Sequence, residues 1–174
     1  DESTGVHQRV LDAVGRHHER EDGRGYPHGL KSEAIGIYGR IAGIVDTFVA
    51  LTNVRPYAKT LSMHDALRSL YRWRGTQFHE PLVEQFVQAI GVFPVGSMVE
   101  LTSGDVAIVL QHNRVRRLKP RVLLLTGPDK SPLTKPVPLD LLYAPVGGNG
   151  EEITIAHALP AGAYGIDPRE FYLQ

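Results

Sequence analysis

The hydrophobic period of this chain changes once, near Pro94, and that change limits the fold more than any other feature. Before it, apolar residues recur at the three- and four-residue spacing of helices. Val6, Val10, Leu11 and Val14 lead in this way up to His17 and His18. A second helix is expected over 35–53, where Ile37, Ile41, Ile44, Val45, Phe48 and Leu51 make it apolar nearly all round. Such a helix is expected to be buried. Pro56 disfavours helical geometry at Arg55 and ends it. Ser62 with Asp65 three residues on gives a capping-box-like start for a third helix that ends near Gly75. Pro81 and Gly91 bracket a fourth.

After Pro94 the apolar residues alternate or run in short blocks between turn residues. MVELTSGDVAIVL reads as a hairpin around Ser103 and Gly104, RVLLLT (121–126) as a third strand, and the stretch from Val137 as a fourth. The expected fold class is α+β. A helical part covers 1–91, a small antiparallel β module 92–145, and a linker and tail 146–174. GGNG at 147–150 is a flexible joint. ITIAHAL, in the tail, is strand-like but has no assigned place.

A chain of 174 residues can bury its own core. Nineteen basic residues balance nineteen acidic ones, so no global positive field draws in nucleic acid, and any anion must be held locally. No direct DNA or RNA partner is expected. The absence of cysteine excludes disulfides, zinc–thiolate sites and thiol nucleophiles, and it accords with a cytoplasmic location. No apolar run is read as approaching the ~20 residues that span a bilayer. The sequence opens without a methionine, and the expectation is that it begins partway through a longer protein.

Chemistry concentrates in HHEREDGRGYPHGL (17–30) and in Asp46. Two imidazoles and a carboxylate suit first-row transition metals such as iron, manganese or zinc. Neighbours on a helix project about 100° apart, so His17 and His18 are expected to reach different ions of a cluster. More than one ion is useful for cleaving a phosphodiester. Asp46 lies in an apolar helix, and a buried charge must be paired or metal-bound. The competing reading has the histidines capping helix carbonyls, with Asp46 bonded to one of them. The pair, the glycine-rich loop and the aspartate together favour a metal.

HHEREDGRGYPHGL, GRIAGIVDTFVALT and RPYAKTLSMHDAL together resemble the second half of an HD-GYP domain, a bacterial branch of the HD metal-dependent phosphohydrolases. The resemblance runs from about residue 6 to residue 91, and 92–145 resembles the β extension that often follows. It implies a partial HD-type helical bundle holding two or three divalent ions, usually iron or manganese. It implies hydrolysis of cyclic di-GMP to the linear dinucleotide or to GMP, by attack of a metal-activated hydroxide. By the resemblance His17, His18 and Asp46 are metal ligands and catalytic residues. Tyr26 stacks on a guanine, Arg55 pairs with a phosphate, and the loop of Gly23, Gly25, Tyr26 and Pro27 meets a partner such as a GGDEF-type domain. Two positions depart from the family. Val49 stands where a second aspartate is usual, and Ala58 where a lysine is usual, with Lys59 beside it as a substitute. The signature His-Asp pair of the family is expected upstream of residue 1. These departures leave open a second reading, a weak or inactive module that senses cyclic di-GMP or binds another protein, and a third, hydrolysis of a different phosphate ester.

Other features carry less. Glu19 is read as either a partner that fixes an imidazole or an exposed helix-end acid. Arg40 is read as structural. The basic run at 113–121 lacks interleaved aromatics for stacking on bases and reads as a charged hairpin edge. Tyr71 and Trp73 read as core or helix-packing residues, and His7, His28, His64, His79 and His112 as non-ligands.

Overall fold

A computed structural model describes residues 7–53 and 60–171. The described residues form four α-helices and five strands, an α+β fold. The chain divides into two compact units. One comprises Asp1–Leu51 with Leu67–Ala89, the other Thr52–Ala66 with Ile90–Gln174.

The helical unit contains α1 (Gln8–Arg16), most of α2 (Gly36–Thr52), most of α3 (Met63–Trp73) and α4 (Glu80–Ile90). Its core gathers Ile44 from α2, Leu70 from α3, Phe78 from the connection, and Val83 from α4. Phe48, Trp73, Leu82, Phe86 and Val87 pack around them. Trp73 is thus a core residue as expected. Tyr71 is exposed, under the Arg74 guanidinium at 3.8 Å. Ser62 starts α3 with its Oγ accepting from the Asp65 backbone N–H at 3.0 Å, as the capping pattern requires.

The expectation of a buried α2 fails. Only Gly39, Gly43 and Ile44 of this helix are buried. Ile37, Ile41, Val45 and Val49, at four-residue intervals, stand on an exposed face. Val10, Leu11 and Val14 of α1 are exposed as well. An apolar sequence tells that a helix has no polar side, not what covers it. The expectation of no membrane-length run is also corrected. Ser32–Thr52, a 3₁₀ turn running into α2, is long and apolar enough by length and composition to cross a bilayer, a test that core helices of soluble domains also pass.

The second unit is a five-stranded antiparallel sheet of order β4-β3-β2-β1-β5. The strands are β1 (Met98–Leu101), β2 (Val106–Gln111), β3 (Arg121–Thr126), β4 (Pro132–Asp140) and β5 (Ile155–Leu159). The expected hairpin is β1–β2, with Val99 opposite Ala107. The fourth strand begins five residues before the expected Val137. Alternate residues serve two cores. Val99, Leu101, Ala107, Val109 and Val122 face one way with Leu141. Met98, Val106, Ile108 and Leu125 face the other. A sheet covered on both faces explains why β2 reads as a continuous apolar run.

The tail finds its place here. ITIAHAL supplies β5, paired antiparallel with β1, Met98 opposite Leu159. Beyond it Ala163, Ile166 and Phe171 cover the second face of the sheet.

Candidate metal centre

α1 ends at Arg16, and His17 is its C-cap, with φ −68° and ψ −18°. The chain then turns, the Glu19 N–H reaching the Arg16 carbonyl at 3.1 Å. His18 is therefore not a helical neighbour of His17. Their rings lie 4.0 Å apart at 40°, so the helical spacing from which separate ions were expected does not hold. Donor atoms of His17, His18 and Asp46 lie within 4.8 Å of one another. Two imidazoles and a carboxylate converging in this way form a cluster able to hold a divalent metal ion.

The second ring nitrogen of His17 shows how that residue is oriented. Nδ1 lies 2.7 Å from the Val14 carbonyl. A carbonyl only accepts, so Nδ1 carries the proton and the Nε2 lone pair is left for a ligand role. One element of the competing reading, an imidazole capping a helix carbonyl, is thus real and compatible with ligation.

Asp46 is exposed, not buried. The cost of burying a charge therefore does not argue for a metal at this position, and convergence with the two imidazoles takes its place. Two glycines let α2 approach. A side chain at Gly43 would put its Cβ 2.7 Å from the His17 carbonyl oxygen, and one at Gly39 would sit 2.8 Å from Arg16 Cβ. Gly43 lies one turn before Asp46 and the next residue, so close contact at the glycine keeps the carboxylate near the histidine turn.

The loop after the histidines is organised by Glu19. This side chain is only 4 % exposed. Its Oε1 accepts from the His28 N–H at 2.7 Å and its Oε2 from the Leu30 N–H at 2.9 Å. Neither expected role, imidazole partner or exposed acid, is what the structure shows. Gly25 is required by packing, since a Cβ there would fall 2.4 Å from Glu19 Cα. Gly23 has φ +76°, a conformation glycine adopts without steric penalty. Tyr26 is 60 % exposed. Its ring stacks on His18 with centroids 4.5 Å apart at 27°. Beside it opens a cavity of about 350 Å³ lined by His18, Arg20, Asp22, Arg24, Gly25, Tyr26 and Gln77.

Arg20 lies inside the motif, yet sequence reasoning did not single it out. Its Nη1 donates to the carbonyls of His17 (3.0 Å) and Glu19 (2.8 Å), and its guanidinium stands 4.9 Å over the Phe78 ring. Burial draws its pKa down, and the nearby charges of Asp46, Tyr26, Asp22 and Glu19 oppose that. The signal was available as a basic residue three positions after the first histidine, but nothing in the sequence says whether it points inward.

Arg55 and Lys59, expected to meet substrate, lie outside the described residues, as does Ala58. Val49 is 44 % exposed on α2. Arg40 is structural, in a two-pronged bond to Glu21 at 2.7 and 3.1 Å. The remaining histidines stand apart from the cluster. His7 caps α1, His64 and His112 contact backbone carbonyls, and the His79 carbonyl accepts from Val83 at the start of α4.

Comparison with known proteins accords with this geometry. The HD domain family matches residues 3–81. Cyclic di-GMP phosphodiesterase PA4108 of Pseudomonas aeruginosa is 37% identical over 129 residues, 74% of this chain and 31% of the relative. The cyclic di-GMP phosphodiesterase response regulator RpfG of Xanthomonas campestris is 45% identical over 73 residues, 42% of this chain and 19% of that protein. The 3'3'-cGAMP-specific phosphodiesterase 1 of Vibrio cholerae is 47% identical over 58 residues, 33% of this chain and 14% of that protein. The chain spans less than a third of the length of each of these relatives. The histidine pair, the buried Glu19 and the tyrosine loop lie within the matched residues, and this part of the chain is an HD domain of the HD-GYP family.

Proposed function

We propose that this chain is part of a metal-dependent phosphodiesterase that hydrolyses cyclic di-GMP, with His17, His18 and Asp46 as metal ligands. The observation that carries the reading is the convergence of those three donors within 4.8 Å. The relatives named for cyclic di-GMP hydrolysis supply the substrate.

A bound divalent ion, iron or manganese by family resemblance, supplies Lewis acidity and an activated water. The chain's own residues do the rest. The Val14 carbonyl holds His17 in the tautomer that presents Nε2. Arg20 fastens the turn that carries both histidines by bonding two of its carbonyls. Tyr26, exposed and stacked on His18, offers an open aromatic face for a guanine. Base–aromatic stacking of this kind is worth about 1–3 kcal/mol per base. Arg55 and Lys59 are assigned to the phosphates by their places in the sequence. The loop of Gly23, Gly25, Tyr26 and Pro27 is also assigned a surface for a partner such as a GGDEF-type domain.

The substitution at Val49 favours one alternative, a module that binds cyclic di-GMP without cutting it. The two readings separate in one assay. The full-length protein loaded with iron or manganese is offered cyclic di-GMP and, as a competitor of related shape, 3'3'-cGAMP, and products are resolved by chromatography. Linear products from cyclic di-GMP support the hydrolase. Binding of cyclic di-GMP with metal present and no product supports the sensor. Preferential cleavage of 3'3'-cGAMP moves the substrate assignment and leaves the metal site standing.

A further inference from the structure

The whole lining of the cavity of about 350 Å³ beside the histidine turn belongs to the helical unit. His18 and Tyr26 form part of it, so it adjoins the metal cluster. The loop backbone builds it. The Tyr26 N–H reaches the His18 carbonyl at 3.3 Å, and the Glu21 N–H reaches the Gln77 carbonyl at 3.0 Å. These two bonds bring the loop back over the turn and set Gln77 against it.

The polar side chains around the cavity differ in what the fold asks of them. Arg20 is committed to the fold. Its Nη1 bonds the His17 and Glu19 carbonyls, and its Nη2 stands 3.5 Å from the Thr47 hydroxyl. Arg24 is exposed, and its guanidinium has no hydrogen bond or ion pair among the described residues. Only its backbone is held, the Arg24 N–H donating to Asp22 Oδ1 at 3.0 Å. The half-buried Gln77 likewise has no side-chain partner among the described residues. A guanidinium and an amide left over by the fold therefore line one cavity with an exposed aromatic ring.

That set suits a flat ligand with polar edges. Guanine presents two acceptors, O6 and N7, on an edge that the arginine fork meets with two parallel bonds. Adenine keeps N7 but carries an amino donor in place of O6, so there a donor faces a donor. A phosphate would also pair with a free guanidinium. The Asp22 carboxylate on the same cavity repels an anion and leaves a neutral base unopposed. The Gln77 amide offers an acceptor as well as donors, of use to a base and of none to a phosphate.

We propose that Arg24 reads the O6 and N7 edge of a guanine stacked on Tyr26 and makes this subsite select guanine over adenine. The inference deepens the proposed function and rests on it for the cyclic dinucleotide. Arg24 touches the base and no reacting atom. 3'3'-cGAMP carries one base of each kind and still has a guanine to offer. Cyclic di-AMP has none and is refused.

The test offers cyclic di-GMP, 3'3'-cGAMP and cyclic di-AMP to the full-length, metal-loaded protein and to Arg24→Ala and Arg24→Gln. The preference, kcat/KM for cyclic di-GMP over that for cyclic di-AMP, is expected to fall by about tenfold or more in Arg24→Ala. It is expected to fall at least as far in Arg24→Gln, because a glutamine amide pairs with N6 and N7 of adenine. Metal content is expected to stay unchanged. A preference that does not move overturns the proposal. So does an equal loss on all three substrates, the mark of a phosphate contact or a disturbed loop. If the wild type cuts none of the three, the hydrolase reading fails, and calorimetric binding of GMP and AMP to the same proteins decides the subsite. Tighter binding of GMP, with the difference lost in Arg24→Ala, upholds it; equal affinity, or none for either, overturns it.

Discussion

His17 has Nδ1 committed to the Val14 carbonyl, which leaves Nε2 for the cluster with His18 and Asp46. His17→Ala removes a donor and the fixed geometry together. Metal analysis of the purified variant is expected to show loss of bound iron or manganese, and cyclic di-GMP hydrolysis is expected to disappear; retained metal with lost activity would move His17 out of the ligand set. Glu19 makes the complementary case. Glu19→Ala strips the His28 and Leu30 backbone N–H groups of their charged acceptor. Bonds to a charged acceptor are each worth about 1.5–3 kcal/mol. A loss of about 3 kcal/mol in unfolding free energy is expected from denaturant titration, with Glu19→Gln costing less because amide oxygen still accepts one bond. At this scale the sequence was a good guide to types and a poor one to partners. HHE announced the metal chemistry, but the partners of Glu19 are main-chain groups nine and eleven residues on, and no side-chain pattern marks an amide. Asp46 was identified from a false premise, since the burial that singled it out is absent.

Elements were legible where period and punctuation agreed. All four helices and the β1–β2 hairpin fall where apolar spacing, caps and turn glycines place them. The environment of α2 was not, because an all-round apolar helix carries no sign of which face meets a partner, and close packing is encoded by the glycines, not by the large residues. Gly43→Ala tests this. The added Cβ would meet a backbone oxygen at 2.7 Å, and overpacking of that kind costs about 1–3 kcal/mol. α2 is expected to move away from the histidine turn and carry Asp46 with it, seen as weaker metal binding in titration; unchanged affinity would detach Asp46 from the site. The tail is latched to β1, the Tyr164 hydroxyl donating to Glu100 Oε2 at 3.1 Å with Lys130 2.8 Å from Oε1, and this latch makes a separate prediction in pH. Its bond to Lys130 holds the Glu100 carboxyl below its ordinary range, with Tyr164 and His157 adding to the effect against desolvation. The unfolded chain then binds the proton more readily than the folded one. The latch therefore contributes in full above the ordinary glutamate value of about 4.3 and is lost as pH falls below it. Protease cleavage within 160–168 is expected to rise below that pH in the wild type and to lose this dependence in Glu100→Gln.

The molecule as a whole joins an HD domain of the HD-GYP branch to a β unit whose tail is part of its core. The change of period at Pro94 announced two kinds of structure. It could not show that Thr52–Ala66, which takes in the end of one expected helix and the start of the next, groups with the sheet, because that grouping is made by contacts distant in sequence. Nor could it place the tail, although the double-sided apolar character of β1 and β2 required a cover for the second face. In the proposed function His17, His18 and Asp46 grip a divalent ion at which cyclic di-GMP is cut. This is tested most directly by measuring, in one preparation, the iron or manganese bound per chain and the cleavage of cyclic di-GMP, for the full-length protein and for Asp46→Ala. Bound metal and linear products are expected in the parent, with both reduced together in the variant. A parent that binds no metal, or a variant that keeps both metal and turnover, would contradict it.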